Sequence, residues 1–178
     1  MKSKIPYPRT LIAALSVSAA GLIAVASDEG YREVPYIPVP GDVLTDGFGN
    51  TKGVKPGVKT NPVRALIQLG GHVGDAEKTL RTCLGDVAMY NYEWDAYVRM
   101  AINVGPGAVC NSSIKTKLRA GQYEAACRTI LDFNKFRDRT KPKVFDSRTG
   151  QMVYPLVEVP GLTKRRQREY TMCMGVPQ

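Results

Sequence analysis

The residues best equipped for chemistry crowd into one short stretch. Glu29-Gly30 is followed by Glu33, Tyr36, Gly41-Asp42 and Thr45-Asp46-Gly47-Phe48-Gly49-Asn50-Thr51. Carboxylic acids beside a hydroxyl suit acid–base hydrolysis: one carboxyl protonates a leaving oxygen while a second polar group manages a water. Elsewhere reactive groups are sparse. His72 is the one histidine, so neither a Cys/His zinc site nor a zinc-dependent amidase finds its ligands, and no metal or cofactor is expected. Cys83, Cys110, Cys127 and Cys173 form no CxxC pair. An even count of cysteines downstream of an export-like segment fits two disulfides. Four cysteines allow three pairings; Cys110 with Cys127 is expected because a short loop joins their two helices, which leaves Cys83 with Cys173.

These residues need elements to position them. Pro35, Pro38 and Pro40 exclude a helix interior between residues 31 and 53, so short strands around a turn at Pro40-Gly41-Asp42 are expected. Asn61 reads as a helix cap with Pro62 at the first helical position. Val63, Leu66, Leu69, Val73, Ala76, Leu80 and Cys83 then recur at helical spacing, predicting one amphipathic helix over 62–84. Helices follow at 91–104, from Ser112-Ser113 to Gly121, at 122–133, and from about Leu162 to Met174. A hairpin turning at Ser147 to Gly150 is expected between the last two. Trp94, Tyr97, Tyr90 and Tyr92 read as core rather than as a sugar platform.

The N-terminus is of another kind. Thr10 to Ala26 carries no charge, with Lys2, Lys4 and Arg9 before it and Asp28 and Glu29 after it. That asymmetry places the N-terminus in the cytoplasm and the remainder outside. As a helix the stretch spans roughly 26 Å at 1.5 Å per residue, slightly short of a bilayer core. Ala24-Val25-Ala26 fits a cleavage site, so a cleaved signal peptide and an uncleaved, weakly held anchor both fit. The formal charge of +9 suits an anionic partner: nucleic acid, phospholipid headgroups or the bacterial wall. No nucleic-acid-binding motif accompanies it, so no nucleic-acid partner is expected.

Four pieces in order carry a resemblance. Glu29-Gly30, Tyr36 and the Thr45-x-Gly47-x-Gly49 strand come first. Asn103-Val104-Gly105 with Ala108 and Cys110 follows, then Ala125-Ala126-Cys127, then Gly161-Leu162-x-x-Arg165-Arg166-x-x-Glu169. In that order they resemble the phage-type lysozymes, or endolysins, of glycoside hydrolase family 24. The likeness covers residues 28 to 174, with an unmatched insertion near 138–157. It implies an α+β, lysozyme-like fold: a small β-containing N-terminal lobe (28–61) and a helical C-terminal lobe (85–178), joined by the helix 62–84. It also implies hydrolysis of the β-1,4 bond between N-acetylmuramic acid and N-acetylglucosamine in peptidoglycan, by a monomer. Some endolysins of this type carry a signal-arrest-release segment, so residues 1–27 are expected to be an N-terminal hydrophobic helix held in the host inner membrane and then released to the periplasm.

The resemblance also implies roles. Glu29 matches the family's proton-donating acid, and Thr45 the threonine whose hydroxyl helps hold the attacking water. The family's second acid falls nine positions after the Glu. Here that position is Pro38, which neither accepts a proton nor orients water. The turn before Thr45 is one residue longer, and Asp42 lies on it. Asp42 is therefore expected to be the displaced carboxylate, ahead of Asp46, which alternates with Thr45 along the strand. The rival reading keeps the fold without turnover: a membrane-tethered, wall-binding protein, for which Pro38 is the best support. Lys164-Arg165-Arg166 with Arg168 suits either contact with the wall or ion pairs between helix and lobe.

Overall fold

The computed structural model describes residues 8–38 and 41–176. Pro40, in the expected turn, and Lys2 and Lys4 lie outside the described residues.

The apolar N-terminal stretch is not one continuous helix. Strand β1 (Thr10–Leu11) pairs antiparallel with β4 (Ala88–Met89), a 3-10 turn covers Ile12–Ala14, and helix α1 begins at Ala19 and ends at Glu29. Among the described residues no helix is long and apolar enough to cross a membrane. The expected N-terminal hydrophobic helix is corrected accordingly. The reason is local competition for backbone groups. Arg81 donates to the carbonyls of Ile12 (3.2 Å) and Leu15 (2.6 Å), and Glu77 accepts from the Val17 N–H (2.8 Å). Ser18 then caps α1, its hydroxyl accepting from the Gly21 N–H at 3.0 Å. Ile12 and Val25 are fully buried in the main core. Each such side chain contributes about 1.5–3 kcal/mol by leaving water.

Helix α1 gives way at Gly30 to a hairpin of β2 (Arg32–Tyr36) and β3 (Thr45–Gly47). Helix α2 (Pro62–Leu84) starts as expected, with Asn61 accepting from the Arg64 N–H at 2.9 Å. Its buried face of Leu69, Val73, Ala76, Leu80 and Leu84 meets α3 (Asn91–Val104). Trp94 and Tyr97 on α3 are fully buried, in keeping with their reading as core. Gly105 ends α3, but Pro106 starts another short helix, α4 (Pro106–Cys110), because proline suits a first helical turn. Helices α5 (Ser113–Arg119) and α6 (Tyr123–Thr129) follow. Two stacked hairpins come next: β5 (Lys135–Arg137) pairs with β8 (Leu156–Glu158), and β6 (Val144–Asp146) with β7 (Gln151–Val153). Helix α7 (Pro160–Cys173) packs against α3.

Two disulfides form, but between other partners than expected. Cys83 joins Cys110 and Cys127 joins Cys173, each pair with Cα atoms 5.7 Å apart. Adjacency along the chain is a poor guide here. The Gly105-Pro106 break lays α4 on the end of α2, so Cys110 faces Cys83, while α6 packs on α7 and brings Cys127 to Cys173.

Candidate active site

Glu29 is the last residue of α1. Gly30 caps the helix with its N–H donated to the Ala26 carbonyl at 3.0 Å and with φ of 68°, a conformation that glycine adopts without steric cost. The Glu-Gly pair therefore stops the helix and turns the chain into β2 in one step. The Glu29 side chain is 24% exposed and lines an open cleft of 570 Å³ with Gly30, Tyr31, Arg32, Glu33 and Val34.

The turn after β3 closes on the same carboxylate. A side chain built at Gly49 would sit 3.8 Å from Glu29 Oε2, so bare backbone faces this oxygen. The turn is held by paired Asp46 and Asn50 backbones, and by the Asn50 amide donating to Asp46 Oδ1 at 3.1 Å. Asp46 is buried in this structural task. Gly47 packs on α2: a Cβ there would fall 2.8 Å from that of Ala65. The glycines of the Thr-x-Gly-x-Gly stretch thus let a strand approach a helix on one side and a carboxylate on the other.

Thr45 is buried, and its hydroxyl donates to the Val43 carbonyl at 3.0 Å. Asp42 is exposed, and its Oδ1 accepts from the Val43 N–H at 2.8 Å. Val43 therefore links the two candidates, one through its N–H and one through its carbonyl. Pro38 at the usual acidic position is followed by two residues outside the described set.

Behind Glu29 lies a charged cluster that the sequence reading only partly identified. Arg165 Nη2 donates to Glu29 Oε1 at 2.8 Å, and its Nε lies 3.4 Å from both Asp28 Oδ2 and Glu169 Oε1. Asp28 is also gripped by Arg99, at 2.7 Å and 3.0 Å, and by Arg168 at 3.0 Å. Arg166, fully buried, donates to Asn103 Oδ1 and Glu169 Oε1, each at 2.9 Å. Arg165 and Arg168 thus tie α7 to the end of α1 by ion pairs. Burial alone would push the Asp28 carboxyl up, but the hydrogen bonds and charges of Arg99, Arg168 and Arg165 outweigh it and hold Asp28 below the usual range. Glu169 goes the other way: burial raises it against the pull of Arg166, Arg165 and Arg99. Asp28 and Arg99 were not singled out from sequence. The available signal was Asp28's place next to Glu29, which puts it on the neighbouring face of the same last helical turn.

The family model described as phage lysozyme matches residues 26–169. The SAR-endolysin of Haemophilus phage HP1 (strain HP1c1) is 28% identical over 170 residues, covering 89% of this chain and 81% of that protein. The muramidase domain of SpmX from Asticaccaulis excentricus superposes with a TM-score of 0.74 at 19% identity, over 89% of this chain and 97% of that one. The active form of the P1 phage endolysin Lyz gives 0.69 at 24% identity, over 92% of this chain and 87% of that one. At such identities the two solved structures speak to the fold, which is lysozyme-like α+β.

Proposed function

The chain belongs to the phage lysozyme family and is a peptidoglycan-hydrolysing endolysin, a glycoside hydrolase; from that premise we propose that Glu29 is the proton donor for cleavage between N-acetylmuramic acid and N-acetylglucosamine. The observation that carries the assignment is the placement of Glu29 at the mouth of the cleft, with one carboxyl oxygen held by Arg165 and the other facing the bare backbone of Gly49. Fixing Oε1 leaves Oε2 as the oxygen that carries the proton to the glycosidic oxygen. Arg165 divides its charge among Glu29, Asp28 and Glu169, so it orients Glu29 without serving it alone.

Water attacks the anomeric carbon of the muramic acid residue as the bond to the glucosamine oxygen breaks. Thr45 fits the water-holding role because its proton is committed to Val43, which leaves its lone pairs to accept from the water. Asp42, the other group tied to Val43, takes the water's second proton. A base-activated water gives inversion at the anomeric carbon. Glu29→Gln tests the assignment on purified sacculi. General acid catalysis supplies roughly 10²–10⁴-fold, so the variant should lose nearly all lysis while keeping its melting temperature. Retention of more than about a tenth of the activity removes Glu29 from the role.

We further propose that residues 10–26 reach this structure from the host inner membrane, so that the enzyme is released to the periplasm. Their lack of charge and the cationic flank before them support a membrane state. Their docking onto buried acids of α2 and α3 supports a second, folded state. Because α1 carries both the end of the apolar stretch and Glu29, membrane retention keeps Glu29 from Arg165, and release assembles the site.

A further inference from the structure

Between Phe133 and α7 the chain projects a two-tiered ribbon, with β5 and β8 at its base and β6 and β7 at its tip. Each tier has two strands, and side chains of both tiers stand exposed to solvent. Phe145 pairs directly with Met152 across the tip, and both are exposed, at 66% and 55%. Val144 is exposed on the opposite face of the ribbon, and Phe136 and Leu156 are exposed lower down. Outward-facing apolar side chains gathered on one protrusion mark an interaction surface rather than an ordinary solvated face.

The charges around the patch define the partner. Lys135, Arg137, Arg139, Lys141, Lys143 and Arg148 lie in the ribbon, against Asp138, Asp146 and Glu158 within the same span. All three acids are occupied locally, Glu158 Oε1 accepting from the Asn134 amide at 2.8 Å and from the Thr163 hydroxyl at 2.9 Å. Asp138 Oδ1 accepts from the N–H and hydroxyl of Thr140, and Asp146 Oδ1 accepts from the Arg148 N–H at 3.0 Å. What faces outward is therefore apolar at the tip and cationic around it. An apolar tip ringed by cations is complementary to the acyl chains and phosphates of a bilayer surface.

We propose that the ribbon 135–158 is a docking surface for an anionic phospholipid bilayer, with Phe145 and Met152 entering the interface and the surrounding cations meeting headgroup phosphates. Apolar insertion and attraction to anionic lipid act together in interfacial binding, and each lysine or arginine near such a surface adds to it. This surface is separate from Glu29 and stands whether or not Glu29 is the proton donor.

Co-sedimentation of the full-length protein with vesicles tests it, using phosphatidylcholine alone or mixed with phosphatidylglycerol. The parent should bind the mixed vesicles in preference to the neutral ones. Phe145→Ser with Met152→Ser, and separately Arg139→Gln with Lys141→Gln, should each weaken that binding about tenfold, while hydrolysis of purified sacculi stays unchanged. Parent and variants carry the same N-terminal segment, so the difference isolates the ribbon. Should the apolar pair lower the melting temperature, the charge pair decides, since Arg139 and Lys141 lie outside the paired strands. Variants that bind mixed vesicles like the parent overturn the proposal. So does weaker binding to sacculi with vesicle binding intact, which assigns the ribbon to the wall.

Discussion

Arg165 Nη2 meets Glu29 Oε1 at 2.8 Å across 136 residues of chain. The contact ties the end of α1 to α7, and with it the position of the proposed acid to the packing of α7 on α3. Arg165→Met should lower kcat about ten- to hundredfold with KM little changed, since a misplaced catalytic group costs rate more than binding. Arg165→Lys should recover part of the loss, because it keeps the charge but not the guanidinium fork. The fold should survive both, as Asp28 keeps Arg99 and Arg168, and Glu169 keeps Arg166. Steady-state kinetics on sacculi check this; an Arg165→Met enzyme with parental kcat refutes the positioning role.

Asp42 and Asp46 offer a sharp comparison. Asp42 is exposed and shares Val43 with Thr45, whereas Asp46 is buried and braces the turn through Asn50. Asp42→Asn should reduce turnover far more than Asp46→Asn, whose amide oxygen still accepts a hydrogen bond. Turbidity assays on chloroform-treated cells measure both. Parental lysis by both variants would show that no carboxylate replaces the one missing at Pro38, leaving Glu29 and Thr45 to do the work.

The elements that were legible in sequence were those set by local chemistry. Asn61-Pro62 marked the start of α2, the apolar spacing marked α3, and Ser147 to Gly150 marked the turn between β6 and β7, where Gly150 donates to the Asp146 carbonyl at 2.8 Å. What escaped was set by distant partners. An uncharged stretch from Thr10 to Ala26 reads as one helix until Glu77, Arg81 and Asp95, sixty or more residues away, claim its backbone. The cysteine pairing failed for the same reason, since α4 and α6 are near in sequence but pack on different helices. At the site, Glu29 stood out through its glycine. The grip of Arg99 on Asp28 had no sequence signature.

Asp28 should make stability depend on pH. Its carboxyl titrates below the usual range in the folded protein, so the folded state gains from its charge above the unfolded pKa. That gain shrinks as pH falls from the ordinary carboxylate range and is gone below the folded pKa. Asp28→Asn should therefore melt below the parent at neutral pH, and the two melting curves should converge as the medium is acidified. Thermal melts across the acid range provide the check. A gap that stays constant with pH shows that the ion pairs to Arg99 and Arg168 add nothing that depends on charge.

Gly21 and Asp95 decide whether the N-terminal stretch docks. Asp95 on α3 accepts from the Ser18 N–H at 2.9 Å and from its hydroxyl, while that hydroxyl caps the Gly21 N–H. The buried carboxylate thus sits at the N-terminus of α1, where the helix dipole favours negative charge. Helix α1 has eleven residues, too few to hold together alone, so this contact starts the helix whose last residue is Glu29. Space at the contact is minimal. A Cβ on Gly21 would lie 2.6 Å from Asp95 Cγ and 2.7 Å from its Oδ1, and Asp95 is fixed by Ser18. Gly21→Ala adds helix propensity and apolarity, so it should strengthen a membrane helix while obstructing the docked state. The overpacking should cost the folded protein about 1–3 kcal/mol, more than the roughly 1 kcal/mol gained in propensity. In cells, the variant should shift from periplasm to membrane and lysis should be delayed; Ser18→Ala, which removes the hydroxyl bond to Asp95 and the cap on Gly21, should weaken the fold without adding comparable membrane affinity. Fractionation, urea melts and N-terminal sequencing of the periplasmic enzyme read these outcomes. Parental stability of Gly21→Ala would remove Asp95 as the docking point, and periplasmic enzyme beginning at Ser27 would make the stretch a cleaved signal peptide.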